Sequence, residues 1–193
     1  MALCFGCHVS EFDSAEGLTW YISCPENGLT KTSESNGIKV TVSCQPTDLL
    51  VFHEAGDSPI DTTVANSLRK KYSNYYYFVM SFSRNNEEVL HKLAGGMEQY
   101  SWLVQTLSFR MGDHVRLITS TGDTIRVSDF MLDRTYGLNK STSVLFVFNK
   151  EKANGRDWIQ FNLDEFGLGI GNQHFRFYKQ QIDEAPQIDF SKI

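Results

Sequence analysis

Hydrophobic and polar positions alternate with a period of two over much of this chain, and that alternation marks half-buried strands. Trp20, Ile22 and Cys24 alternate with Thr19, Tyr21 and Ser23, which predicts a first strand. Ile38, Val40, Val42 and Cys44 predict a second, and the polar residues 25–37 read as the connection. A short apolar run, residues 49–52, follows Pro46. The strongest segment is 75–82: Tyr76, Phe78, Met80 and Phe82 share one face, and Tyr75, Tyr77 and Val79 share the other. Bulk on both faces fits a central strand covered on both sides. Arg84-Asn85-Asn86 reads as a turn.

Further on, Val115 and Leu117, then Ile125 and Val127, flank the hairpin signal Ser120-Thr121-Gly122-Asp123. Residues 144–148 are apolar throughout and predict a buried strand. Trp158, Gln160 and Asn162 oppose Ile159, Phe161 and Leu163, and Phe175 and Phe177 alternate with His174, Arg176 and Tyr178. Helical spacing is confined to Val64, Leu68 and Tyr72, and to Met97, Tyr100, Leu103, Val104 and Leu107; residues 103–109 also read as strand. The tail from Asp183 reads as irregular. Many short strands with turns between them predict a mainly β fold, a β-sandwich (immunoglobulin-like or related) with one or two short helical insertions. Residues 1–16 read as an N-terminal tether or the remnant of a signal or lipobox segment, and 17–193 as a single β-rich domain.

Composition narrows the function classes. Aromatic residues reach 13%, which suits pleated surfaces. Net charge is −5 and the densest basic run is Arg69-Lys70-Lys71, so a phosphate-tracking surface for nucleic acid is not expected. No apolar stretch approaches the roughly 18 residues of a membrane-spanning helix.

Chemistry-bearing motifs start at the N-terminus. Cys4-Phe5-Gly6-Cys7-His8 matches the C-x-x-C-H pattern of c-type haem attachment, in which two thiols take the vinyl groups and His8 the iron. The β-rich body and the position at the chain start argue against haem. The step from Gly6 to Cys7 also fits a bacterial lipoprotein cleavage site, with Cys7 lipidated and the protein attached peripherally to a membrane. Cys4, Cys7, Cys24 and Cys44 contain one tight pair where structural zinc usually wants two, so no metal and no cofactor is expected. Were residues 19–24 and 38–44 hairpin strands, Cys24 and Cys44 would sit roughly 20 Å apart at about 3.3 Å per residue, beyond the reach of a disulfide. Buried thiols are expected instead.

Gly167-x-Gly169-x-Gly171 lacks the strand–loop–helix context of a dinucleotide loop and reads as a bulge or bend between strands. His8, His53, His91, His114 and His174 form no ligand pair; a hydrolase centred on His114 or His174 is the weakest functional reading. Asp164-Glu165 and Asp183-Glu184 read as solvated turns. Tyr75, Tyr77, Tyr136, Trp158 and Tyr178 are candidates for an aromatic contact surface toward sugar rings or a protein partner. Asn139-Lys140-Ser141 is a formal glycosylation sequon.

Three groups of segments carry a resemblance. They are Glu26-Asn27-Gly28-Leu29-Thr30-Lys31-Thr32 with Asn36-Gly37-Ile38-Lys39-Val40 and Gln45-Pro46-Thr47-Asp48-Leu49-Leu50; Gly122-Asp123-Thr124-Ile125 with Tyr136-Gly137-Leu138 and Leu145-Phe146-Val147-Phe148-Asn149-Lys150; and Phe166-Gly167-Leu168-Gly169-Ile170-Gly171 with Phe175-Arg176-Phe177. Across most of 20–182 the chain resembles uncharacterised lipoproteins of the Bacteroidetes cell envelope. The resemblance implies an envelope location, periplasm or outer membrane, and no known reaction; without an export signal the location would be cytoplasmic. The expected function is a non-catalytic envelope protein, structural or binding an unknown protein or carbohydrate partner. A haem or redox protein using Cys4, Cys7 and His8 is the alternative.

Overall fold

The computed structural model describes residues 10–56, 60–90, 96–133 and 140–192. The described residues begin with β1 (Glu11–Phe12), α1 (Ala15–Ser23), β2 (Thr30–Ser35), β3 (Ile38–Gln45), α2 (Thr47–Ala55) and α3 (Thr62–Tyr72). Then come β4 (Tyr75–Arg84), β5 (Glu87–Glu88), α4 (Gly96–Phe109), α5 (Met111–His114), β6 (Val115–Thr119), β7 (Thr124–Arg126) and β8 (Asp129–Asp133). They end with β9 (Thr142–Asn149), β10 (Trp158–Leu163), β11 (Gln173–Tyr178), α6 (Lys179–Asp183) and β12 (Gln187–Ile188).

Two antiparallel sheets dominate. The larger runs β2-β3-β4-β9-β8, with β5 paired to β4, and the smaller runs β11-β10-β6-β7. Register sets the core. Cys44, Phe78 and Phe146 lie side by side across β3, β4 and β9, as do Val42, Met80 and Val144. All are buried. From the smaller sheet, Phe161 and Phe177 meet this face, with ring centroids 5.6 and 5.1 Å from Phe78. Phe161 also packs edge-on to Phe146 at 5.6 Å. Such tilted and edge contacts add to the hydrophobic stabilisation of burial. The central position predicted for residues 75–82 is found in β4, flanked by β3 and β9.

The chain is mainly β, but six helices among the described residues exceed one or two short insertions. α1 replaces the first predicted strand. Ser14 caps it by accepting the Gly17 N–H at 3.2 Å, and Ala15, Leu18 and Ile22 turn one helical stripe inward. Trp20 points out and is 58% exposed. The period of two over residues 19–24 was too short to outweigh that stripe. The apolar run 49–52 is likewise helical, inside α2, and 103–109 belongs to α4. The polar stretch 25–37 contains a strand, β2, which turns into β3 at Asn36 and Gly37 with φ of 51° and 71°. Positive φ at both positions is what a two-residue hairpin of matching twist needs. The tail is not wholly irregular. β12 pairs in parallel with β1, so residues 11–16, read as tether, form β1 and start α1.

Candidate functional site

β10 is the centre of the smaller sheet, paired with β11 on one side and β6 on the other. Alternation turns Ile159, Phe161 and Leu163 into the core and leaves Trp158, Gln160 and Asn162 on the outer face. Register then assembles neighbours around them. Trp158 faces Tyr178, Gln160 faces Arg176 and Asn162 faces His174 across β11. From β6, Ile118 and Arg116 stand beside Gln160 and Asn162, and Arg126 of β7 stands beside Arg116.

These side chains are linked. The Arg176 guanidinium lies 4.0 Å above the Trp158 ring and donates to Gln160 Oε1 at 3.2 Å. Gln160 Nε2 donates to Asn162 Oδ1 at 2.9 Å. His174 Nδ1 is 2.9 Å from the same oxygen, which can only accept, so this bond puts hydrogen on Nδ1. Asn162, 3% exposed, is the floor of the row, and Tyr178, 51% exposed, stands at its aromatic end. Arg116 clamps Asp164 with two hydrogen bonds, one of 3.1 Å from Nη2 to Oδ1. The Arg116 bond holds the Asp164 carboxyl below its ordinary range, and the nearby His114 and His174 add to the effect. Arg116 is thereby neutralised, whereas Arg126 and Arg176 carry their charge on an exposed surface.

The loop between β10 and β11 closes one end of this face. Glu165 Oε1 accepts the N–H groups of Gly167 at 2.7 Å and Gly169 at 2.9 Å, and Oε2 accepts that of Gly171. All three glycines have positive φ, 93°, 78° and 67°, which curls their amides around one carboxylate. Burial alone would raise the Glu165 pKa; the amides of Gly169, Gly171, Gly167 and Leu168 overcome it and lower the value. The glycines do make a bend, as the spacing predicts, but Asp164 and Glu165 are engaged carboxylates rather than solvated turn residues.

Of the five candidate aromatics, Trp158 and Tyr178 come together as cross-strand partners. Tyr75 and Tyr77 lie on the larger sheet, with ring centroids 6.5 Å apart, and Tyr77 packs edge-on to Tyr72 at 5.7 Å. Tyr136, Cys4, Cys7, His8, His91 and Asn139 lie outside the described residues. No disulfide joins Cys24 to Cys44; Cys44 is buried on β3 as expected, whereas Cys24, the residue that caps the end of α1, is only partly buried. His114 ends α5, its ring 6.1 Å from Phe166. Among the described residues no cluster of His, Cys, Asp and Glu is arranged to hold a metal ion. Among them, too, no helix is long and apolar enough to cross a membrane. Of the row Gln160, Asn162, His174 and Arg176, only His174 is a candidate from the sequence, although the alternation of β10 and β11 already puts all four on one face. No family model, curated protein or solved structure matches the chain.

Proposed function

We propose that this chain is a non-catalytic binding protein of the bacterial cell envelope that presents the outer face of the β11-β10-β6-β7 sheet to a carbohydrate bearing acidic groups. The observation that carries the reading is the Trp158–Tyr178 pair, continued by Arg176, Gln160 and His174 over the buried Asn162 along the outer face of the sheet. The half-exposed Tyr178 ring offers a flat apolar surface to the C–H face of a sugar, beside Trp158, whose ring the Arg176 guanidinium covers on one side. Side-chain amides and a guanidinium offer donors and acceptors to its hydroxyl and carboxylate groups. Arg126 and Arg176 favour an acidic sugar over a neutral one, against the chain's net charge of −5. The rings of Phe78, Phe161 and Phe177 packed between the sheets support reading the fold as a β-sandwich of immunoglobulin-like or related type. The envelope location rests on the resemblance of the sequence segments, and fractionation of the native protein tests it; recovery in the cytosol overturns it.

The binding reading is tested by titrating the labelled protein with oligogalacturonate and with a neutral maltooligosaccharide while following the Trp158 indole N–H by NMR. Oligogalacturonate is expected to shift that resonance, and Arg176→Ala to weaken binding about tenfold, the size of one charge-assisted hydrogen bond. An unmoved Trp158 resonance at millimolar sugar overturns the reading.

A further inference from the structure

A second concavity lies away from the sheet face. β3 and β9 end and β4 begins at one edge of the larger sheet, and the chain from α6 to β12 passes over that edge, leaving a cleft of about 220 Å³. Cys44, Tyr75, Tyr76 and Lys150 line it, with Asp48 and Asp183. Lys150 is held at its mouth by its own backbone, whose N–H donates to the Asn74 carbonyl at 3.0 Å.

The charges of this cleft do not balance. Asp48 is already bound by Arg69, from Nε at 2.7 Å and Nη2 at 2.6 Å, and by the Ile188 N–H at 2.7 Å. Asp183 Oδ1 accepts from Lys179 Nζ at 3.0 Å, and the same ammonium donates to the Tyr76 hydroxyl at 2.5 Å. Burial pushes the Cys44 thiol up to about 12, so it supplies no thiolate counter-charge. Burial also keeps the Tyr76 phenol protonated by raising its pKa, against the pull of Lys179. Lys150 remains. Its Nζ lies 5.1 Å from the Tyr76 ring centroid, and among the described residues no acceptor is within hydrogen-bonding distance of it. Burial lowers its pKa and the neighbouring Lys179 charge adds to this, against the pull of Asp183, which already serves Lys179.

We infer that this cleft binds a small organic anion, a carboxylate or a phosphate monoester, with its acid group on Lys150 and its body against Tyr75 and Tyr76. An anion there restores part of the hydration that the half-buried ammonium has lost, and at a partly desolvated site the attraction exceeds that in bulk water. The cleft is smaller than the roughly 300–1,000 Å³ of drug-sized sites, which limits the ligand to a compact molecule. The site is independent of the sheet face, and neither stands or falls with the other.

Amide shift mapping of the labelled full chain tests it, with inorganic phosphate, benzoate and neutral glucose as probes. Phosphate or benzoate is expected to move the Lys150, Tyr76 and Gln187 amides in a saturable way while glucose does not; which of the two binds more tightly separates phosphate from carboxylate. Lys150→Gln is expected to weaken anion binding at least tenfold, Lys150→Arg to retain it, and Lys71→Gln, at an exposed lysine paired with Glu54, to leave it unchanged. Should Lys150→Gln fail to fold, the wild-type map and Lys150→Arg decide. Shifts elsewhere, equal shifts with glucose, or undiminished binding in folded Lys150→Gln overturns the inference.

Discussion

Asp48 Oδ2 is shared by two donors, the Arg69 guanidinium at 2.6 Å and the Ile188 backbone N–H at 2.7 Å. Arg69 Nη2 in turn donates to the Ile188 carbonyl at 2.8 Å, so one ion pair holds both polar groups of a β12 residue. Asp48 is 3% exposed. Asp48→Ala strands the arginine and the Ile188 N–H, and is expected to cost about 3 kcal/mol, the lower end for a broken buried pair because Arg69 keeps some contact with water. Urea unfolding checks the magnitude. Limited proteolysis checks the place, with new cleavage expected near residues 187–192.

The core between the sheets gives a second prediction. Phe161 touches Phe78, Phe146 and Phe148 and has no exposure. Phe161→Ala is expected to cost about 3–5 kcal/mol, whereas Arg176→Ala, on the outer face of the same sheet, is expected to stay under about 1 kcal/mol. A comparable loss in both variants, measured by urea unfolding, contradicts this division of the sheet into a core face and a surface face.

The glycine loop separates strain from space. Gly169 has φ of 78° and open space where a Cβ would go, so Gly169→Ala is expected to cost about 1 kcal/mol of left-handed strain. Gly167 has φ of 93°, and a Cβ there would collide with the Trp102 ring. Gly167→Ala is therefore expected to cost at least about 2 kcal/mol, the strain plus the clash. Thermal melts of the two variants check the order.

Acid should act on the same loop. The folded Glu165 carboxyl titrates below its ordinary value of 4.5, so the unfolded chain takes up its proton first as pH falls. The contribution of Glu165 to stability is present in full above that value and is lost as pH drops through the folded pKa. Asp164 behaves alike below 3.8. Glu165→Gln is expected to lower stability at neutral pH and to flatten the acid limb of urea midpoints measured from about pH 7 to pH 3. An acid limb of unchanged slope in that variant contradicts the role of the nest.

How much of this was legible in the sequence depends on the distance over which each element is determined. β4, β10 and β11 are readable because a period of two repeats over five residues or more, and β9 because residues 144–148 are apolar throughout. The outer row from Trp158 to His174 follows from that alternation, but its pairings needed the register between β10 and β11. α1 escapes the period-two pattern because its helical stripe, Ala15, Leu18 and Ile22, begins before the alternating stretch and depends on the Ser14 cap. The hairpin at Asn36-Gly37 carries a turn signal, but the polar residues of β2 have no apolar face to mark them as a strand. The Glu165 nest had no hydrophobic pattern to announce it; it exists only once three left-handed glycines curl. The Lys150 cleft joins residues from Cys44 to Gln187, and no local rule reaches that far.

β1 and β12 run in parallel, joined by Gln187 N–H to the Ser10 carbonyl at 3.1 Å and Asp189 N–H to the Phe12 carbonyl at 2.9 Å. One strand leads in from the N-terminal side and the other leads out toward the C-terminal side. A force drawing the two ends of the chain apart therefore slides these strands along each other and loads both bonds at once, rather than peeling them in turn. Lys192, bound to Asp13 at 2.9 Å, shares that load. The pair is a mechanical clasp: tension entering through either end meets it before reaching the phenylalanine core.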